Sequence, residues 1–244
     1  MPQIIPTALR AMQVFEVFAR ERRPLTNSEL ARFLDLADSS CSDLLHTLRE
    51  AGYLLRAPRS RTFYPTPRLL DVGQRIGATD PVLAFATEAL ELLTKRSSET
   101  SMCGILEGRR VKIVACQESP RALRYVLQPG VVVDVHATAL GKALLGTMAE
   151  READALIDAL PMAPVTGRTI VDRAVLRAQV ADGRARGWHE AIDEGSEGVM
   201  ALAIAGPVDG RLAALSIVGP IHRLRQQRDA YGALLVAARA ELFG

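Results

Sequence analysis

Residues 26–56 read TNSELARFLDLADSSCSDLLHTLREAGYLLR, and this stretch decides the fold of the first part of the chain. It opens with Thr26 and, three residues later, Glu29, which is the spacing of a capping box. In such a box each side chain accepts a hydrogen bond from the other residue's backbone N–H, and a helix begins there. The sequence therefore predicts a short helix that runs to about Leu34.

A second helix is predicted after the turn at residues 35–37, with Asp38 as its N-cap and Gly52 in the left-handed position behind its end. Its inward-facing residues are predicted to be Leu44, Leu45 and Leu48. Two helices joined by a short turn match a helix-turn-helix, in which the start of the second helix enters the major groove of DNA. The residues predicted to face DNA are Thr26, Asn27, Ser39, Ser40, Ser42, Asp43, His46 and Thr47.

The segments on either side extend this motif. Upstream, apolar residues at near-helical spacing predict an amphipathic helix over residues 7–20. Downstream, β-prone runs at 53–56 and 62–64 flank a turn and predict a β-hairpin, the wing of a winged helix-turn-helix. Its arginines, Arg56, Arg59 and Arg61, are predicted to contact DNA phosphates. A small scaffold or dimerisation module built from the same elements is the alternative interpretation.

Charge is distributed unevenly along the 244 residues, whose net charge is +2. Residues 1–77 carry 11 arginines and no lysine against 8 acidic residues, a balance of +3, and the remainder has a balance of −1. A small basic excess on the first part is compatible with phosphate contacts. No apolar run of about 18 residues is present and the first residues lack a secretory-signal pattern, so a cytoplasmic protein without a membrane partner is expected.

The part of the chain beyond residue 80 alternates between β-prone and helical patterns, which predicts a mixed α/β domain and an α+β fold overall. Strands are predicted at residues 101–106, 111–117, 123–127, 187–192, 201–205 and 212–218, and helices at 82–96, 139–145, 150–159, 173–186 and 223–242. The expected domains are 1–66 for DNA binding, a linker helix within 67–80, and 81–244 for ligand binding and oligomerisation.

The junction VHATALGK, residues 135–142, is a strand-to-helix transition that presents free backbone N–H groups at a positive helix end. An anion site is one interpretation, with Gly141 permitting close approach. The other interpretation is that Gly141 only packs the helix on the sheet and that Lys142 is solvated.

Several segments resemble the IclR-type transcriptional regulators, in the same order and at similar separations. They are ALRAMQVFEVFARERRPLTNSELARFL (8–34), YLLRAPRSRTFYPTPRLLDVGQRI (53–76), VHATALGKALLG (135–146), RARGWHEAIDEGSEGV (184–199) and LAALSIVGP (212–220). The resemblance implies a GAF-like effector domain that binds a small organic acid. It also implies a homodimer or homotetramer on a pseudo-palindromic double-stranded operator, acting as repressor or activator.

Carried over by position, the effector contacts implied by the resemblance are Thr138, Ala139, Leu140, Asp193, Ala203 and Ser216. Ala203 and Val218 stand where the family has polar residues, so an aromatic or aliphatic acid is expected. A second departure lies in the predicted recognition helix, where Asp38 and Asp43 replace basic residues. Carboxylates are repelled by phosphates, although an Asp accepts a hydrogen bond from the amine of cytosine.

Two other classes of function stay open at this point. A ligand-sensing module that has lost DNA affinity fits the acidic helix. An enzyme is less well supported, because His136, His189 and the cysteines Cys41, Cys103 and Cys116 match no nucleophile elbow, zinc spacing or phosphate loop. No catalytic residue, metal or cofactor is therefore predicted.

Overall fold

The protein is described here by a computed structural model that covers residues 5–77 and 79–244. The chain divides into two compact units, of which the second begins at Thr79. Within the described ranges, no helix is long and apolar enough to cross a membrane.

The first unit has the element order of a winged helix. Its elements are α1 (Pro6–Glu21), α2 (Asn27–Leu34), α3 (Asp38–Glu50), β1 (Leu54–Arg56), β2 (Phe63–Pro65) and α4 (Arg68–Gly77). Strands β1 and β2 form the predicted antiparallel hairpin, in which Leu55 lies opposite Tyr64. The three leucines predicted to face inward from α3 are buried against residues of α1 and α2.

Short-range hydrogen bonds set the ends of the helices. The predicted capping box is confirmed, because Thr26 Oγ1 accepts from the backbone N–H of Glu29 and Glu29 Oε2 accepts from that of Thr26. Gly52 has a φ of +79°, the left-handed conformation expected behind the end of α3. Helix α1 is capped at its end by Arg22, which also has a left-handed backbone conformation and whose backbone N–H donates to Phe18 O.

The prediction that Asp38 caps α3 is wrong. Ala37 is the N-cap and makes no side-chain capping bond, while Asp38 is the first helical residue. Its carboxylate accepts hydrogen bonds from Asn27 Nδ2 at 3.4 Å and from Ser28 Oγ at 3.5 Å, so it joins α3 to the start of α2.

The second unit is a six-stranded antiparallel sheet in the order β5-β4-β3-β8-β7-β6, with helices on both faces. Its elements are α5 (Pro81–Ser97), β3 (Thr100–Glu107), β4 (Arg110–Gln117), β5 (Val132–Asp134), α6 (Ala139–Thr147), α7 (Glu150–Ala159), α8 (Arg173–Arg186), β6 (His189–Ile192), β7 (Val199–Val208), β8 (Arg211–Pro220), α9 (Ile221–Gln226) and α10 (Arg228–Leu242). Helices α6, α7 and α8 pack on one face, and α5, α9 and α10 pack on the other. The predicted fold class, α+β, is confirmed.

Two predicted elements of this unit differ from the structure. Residues 123–127 form no strand, and β5 begins only at Val132. The carbonyl of Leu123 accepts a hydrogen bond from the Arg223 guanidinium. The predicted last helix is divided, because the backbone N–H of Gln227 bonds to Leu224 O and leaves the helical path there.

Candidate DNA interface and ligand cavity

Helix α3 presents one polar face to solvent. Its buried residues are Cys41, Leu44, Leu45 and Leu48, and its exposed residues include all six predicted from this helix, Ser39, Ser40, Ser42, Asp43, His46 and Thr47. At 100° per residue, Ser39, Asp43, His46 and Glu50 fall on the ridge opposite the buried side. That ridge carries no arginine or lysine.

The basic residue beside the ridge is neutralised by its neighbour. Arg49 donates to Glu50 Oε1 at 2.9 Å and also contacts His46 Nδ1 at 3.2 Å. Arg49 lowers the pKa of the Glu50 carboxyl, so this carboxylate stays ionised. The outward face of α3 is therefore neutral to acidic.

Thr26 and Asn27, also predicted to face DNA, form hydrogen bonds within the unit through the Thr26 hydroxyl and the Asn27 amide nitrogen, whereas Asn27 Oδ1 is buried without a hydrogen-bond partner among the described residues. The Thr26 hydroxyl belongs to the capping box, and the same bonds, together with Arg23, lower the pKa of Glu29 to about 2. Asn27 Nδ2 donates to the backbone oxygen of Asp38 at 3.0 Å. The structure thus uses both residues to hold the start of α2 and its contact with α3.

The wing carries three exposed arginines, Arg56, Arg59 and Arg61. Arg56 lies over the Phe63 ring, 5.6 Å from its centroid. Arg59 and Arg61 lie in the exposed turn between β1 and β2, and neither side chain forms an ion pair within the part of the chain that the structure describes. Both guanidinium groups are therefore available to phosphates.

A cavity of about 220 Å³ lies in the second unit between the sheet and the start of α6. Its walls are mostly apolar, and they include Met102, Ile113, Leu127, Val132, Val133, Leu140, Val199, Ala201 and Val218. The polar groups that line it are few, which is typical of small-molecule sites.

The start of α6 forms one polar end of this cavity. Thr138 Oγ1 accepts from the backbone N–H of Gly141 at 3.2 Å and donates to Asp134 O at 3.0 Å. The first N–H groups of a helix, here those of Ala139 and Leu140, have no partner inside the helix and carry its positive end. This end of the cavity consequently favours an anionic group.

Besides Thr138, the cavity is lined by the polar residues Asp134, Glu194 and Ser216 and by Tyr125, Ser196 and Arg110. The hydroxyls of Tyr125 and Ser196 form a hydrogen bond of 3.0 Å, which joins the loop before β5 to the loop after β6. Arg110 lies at the edge, 3.4 Å from Asp134 Oδ1. The sequence interpretation missed five of these polar residues, although Glu194 and Ser196 lie inside the quoted segment RARGWHEAIDEGSEGV. The five are Arg110, Tyr125, Asp134, Glu194 and Ser196.

Four of the six predicted effector contacts line the cavity, namely Thr138, Ala139, Leu140 and Ser216. Asp193 does not, because its carboxylate turns back to accept from the backbone N–H of Gly198 at 2.7 Å. Ala203 does not either, because it is completely buried in the core beneath the sheet, opposite His189 on β6 and Ser216 on β8.

The interpretation of Lys142 as a solvated residue is wrong. Its side chain is 1% exposed, and Nζ lies 2.6 Å from Glu194 Oε1 and 2.7 Å from Gln179 Oε1. Burial lowers the pKa of Lys142, and Glu194 beside it opposes that shift. Gly141 has a packing role, because a Cβ there would overlap the backbone of Val135.

The two histidines considered for chemistry are buried and bonded to backbone oxygens. His136 Nε2 contacts Ala163 O at 2.9 Å, and His189 Nε2 contacts Val180 O at 3.3 Å. Burial lowers the pKa of His189 to about 4, so this side chain is neutral at pH 7. Over residues 5–77 and 79–244, no group of His, Cys, Asp and Glu is arranged to hold a metal ion.

A winged helix-turn-helix with an exposed polar helix, together with an α/β unit that encloses an apolar cavity, defines the class of helix-turn-helix transcriptional regulators with a ligand-binding domain. Two family models match this chain. The IclR helix-turn-helix domain matches residues 7–58, and the C-terminal domain of bacterial IclR transcriptional regulators matches residues 78–242. The chain belongs to the IclR family of transcriptional regulators.

Individual relatives agree with this assignment. The HTH-type transcriptional regulator Rv1719 of Mycobacterium tuberculosis is 30% identical over 236 residues, which cover 95% of this chain and 89% of Rv1719. A solved regulator from Rhodococcus is 26% identical with a TM-score of 0.80, covering 98% of this chain and 99% of its own. An IclR homolog from Microbacterium hydrocarbonoxydans, solved with 4-hydroxybenzoate, shares the fold at 22% identity and a TM-score of 0.72, covering 96% and 99%.

Proposed function

We propose that this regulator binds a pseudo-palindromic operator and that a small aromatic or aliphatic carboxylic acid in the cavity at α6 changes its affinity for that DNA. The observation that carries the proposal is the cavity itself, which places apolar walls beside the positive end of a helix. A carboxylate at the start of α6 and an apolar body against the sheet satisfy both features.

The volume of the cavity and its apolar walls restrict which carboxylic acids can bind. A dry apolar cavity of roughly 150 Å³ is sufficient to hold benzene, and the cavity here is about 220 Å³. One ring or a short branched chain, in addition to a carboxylate, therefore fits. Ser216 on β8 is a buried residue that lines the cavity, so a hydroxylated ring or chain gains a hydrogen bond to its hydroxyl.

In the proposed DNA complex, the wing contacts phosphates and α3 contacts bases. Arg59 and Arg61 supply phosphate attraction, and the exposed residues of α3 face the base edges.

Operator symmetry requires two copies of the chain. A suitable docking surface is the exposed apolar stripe on α1, formed by Ile5, Leu9 and Met12 at helical spacing.

Fluorescence anisotropy over a salt series tests the DNA half, with labelled DNA from upstream of the protein's own gene against an unrelated duplex of equal length. Tighter binding to the upstream DNA, with a steep salt dependence, supports the proposal. Weak and equal binding to both favours the second candidate, a ligand sensor without DNA affinity, for which the acidic ridge of α3 is the supporting observation.

Calorimetry tests the ligand half, with benzoate, 4-hydroxybenzoate and branched aliphatic acids of similar size as probes. 4-Hydroxybenzoate is included because the Microbacterium hydrocarbonoxydans homolog was solved with it. Binding of these acids, and a change in operator affinity when they are bound, supports the proposal. Binding of only two-carbon acids would count against an apolar site.

Sedimentation of wild type and of Leu9→Glu tests the proposed α1 dimer surface.

A further inference from the structure

We propose that Asp43 is the base-reading residue of α3 and that it selects a cytosine in each half of the operator. The inference rests on the proposed DNA binding and adds the identity of a base to it. Three features of the first unit carry it: the position of Asp43 on the helix, the lack of competing partners, and the chemistry of a carboxylate in the major groove.

Asp43 lies at the centre of the outward ridge of α3. The buried residues Cys41, Leu44, Leu45 and Leu48 define the inner side of the helix. Asp43 projects from the opposite side, one helical turn after Ser39 and just before His46, in the first half of the helix. In a helix-turn-helix this is the part of the recognition helix that contacts base edges.

The Asp43 carboxylate is also free to bind a base. Asp38 is held by Asn27 and Ser28 of α2, and Glu50 is bound by Arg49. By contrast, no side chain among the described residues forms a hydrogen bond or ion pair with the Asp43 carboxylate. It is therefore the carboxylate on this ridge whose acceptor oxygens are unused.

The chemistry of a carboxylate restricts its partner. An ionised Asp only accepts hydrogen bonds, so it is repelled by guanine N7 and O6 and by thymine O4. Adenine offers one amine donor beside the N7 acceptor, whereas cytosine offers its N4 amine without that acceptor. Among the four bases, cytosine is thus the best partner for Asp43.

This contact contributes specificity more than affinity. The phosphates repel the Asp43 carboxylate on any sequence, and the wing arginines Arg59 and Arg61 must offset that repulsion. At a site with cytosine the hydrogen bond compensates for the repulsion, whereas at other sites nothing does. Removing the charge is therefore expected to tighten binding to unrelated DNA while it weakens discrimination.

The first test is selection from a randomised duplex library with the full-length protein as wild type, Asp43→Asn, Asp43→Ala and Glu50→Gln. Glu50→Gln is the matched control, because it removes one negative charge from the same ridge. Wild type and Glu50→Gln should enrich sites that share one C·G pair in each half. Asp43→Asn should shift that pair towards A·T, since an amide binds adenine, and Asp43→Ala should lose the preference.

The second test replaces that cytosine by 2-pyrimidinone, which lacks the N4 amine. The affinity of wild type for this DNA should fall about 10-fold or more, in the range of one lost base contact. The affinity of Asp43→Ala should be the same for both duplexes. Circular dichroism checks that the variants fold. Identical preferences in wild type and both Asp43 variants overturn the inference while leaving DNA binding intact, whereas failure of wild type to enrich any sequence overturns the proposed function as well.

Discussion

Lys142 Nζ lies 2.6 Å from Glu194 Oε1 and 2.7 Å from Oε2, and both side chains are buried. Lys142 belongs to α6, whose first turn lines the ligand cavity, and Glu194 belongs to the loop that lines it from the other side. The ion pair therefore holds together two walls of the proposed effector site.

Removing one partner of this pair should be costly, because the other charge is left buried without compensation. We expect Lys142→Met or Glu194→Gln to lower the free energy of unfolding of the second unit by about 3–5 kcal/mol. The double variant Lys142→Met/Glu194→Gln should lose clearly less than the sum of the two. Urea unfolding of the four proteins measures this coupling, and strictly additive losses would contradict it.

His189 should make stability depend on pH. Its folded pKa of about 4 lies below the usual 6.5, so between these values the unfolded chain binds a proton that the folded chain does not. The stabilisation is complete above about pH 6.5 and is lost as pH falls towards 4, by roughly 3 kcal/mol in all. Unfolding of wild type and His189→Gln across this range should show the difference, and parallel curves would refute it.

Gly183 of α8 packs directly on the His189 ring, where an added Cβ would overlap the imidazole. We expect Gly183→Ala to destabilise the protein by about 1–3 kcal/mol through overpacking. Gly73 of α4 is the control, because an added Cβ there meets nothing within 4 Å. Thermal unfolding compares the two, and equal effects of both substitutions would remove the packing explanation.

Arg59 and Arg61 should determine how steeply DNA binding depends on salt. Each phosphate contact contributes about 0.9 to the slope of log K against log salt. Arg59→Ala/Arg61→Ala should therefore weaken binding to all sequences and reduce that slope by about 2 for each bound copy of the chain, or by about 4 for the two copies on an operator. Arg151→Ala/Arg239→Ala, which removes two exposed arginines on α7 and α10 of the other unit, is the charge-matched control. An unchanged slope in the wing variant would remove the wing from the DNA interface.

Ala201 on β7 lines the cavity, so a larger side chain there should exclude the ligand. We expect Ala201→Leu to weaken binding of an aromatic acid at least 10-fold by filling part of the 220 Å³ volume. DNA binding without ligand should remain close to that of wild type. Calorimetry and anisotropy measure the two properties, and unaltered ligand affinity would place the site elsewhere.

Much of the first unit was predictable because its signals are local. The capping box joins residues three apart, Gly52 follows its helix directly, and the inward leucines of α3 repeat at the helical period. Each signal depends on hydrogen bonds or side-chain spacing within one or two helical turns. The folded chain therefore forms these features where the sequence alone predicts them.

The site in the second unit depended on contacts between distant residues. Lys142 and Glu194 are 52 positions apart, and Tyr125 and Ser196 are 71 apart. Even Asp38, a good N-cap by local pattern, bonds instead to Asn27, 11 positions earlier. The sequence by itself determined the family, the winged helix and the four cavity residues around α6 and β8. Only the tertiary structure decided which polar groups are free for a ligand or DNA. The reason is that packing pairs donors and acceptors from distant parts of the chain, and the sequence pattern does not show which of them become paired.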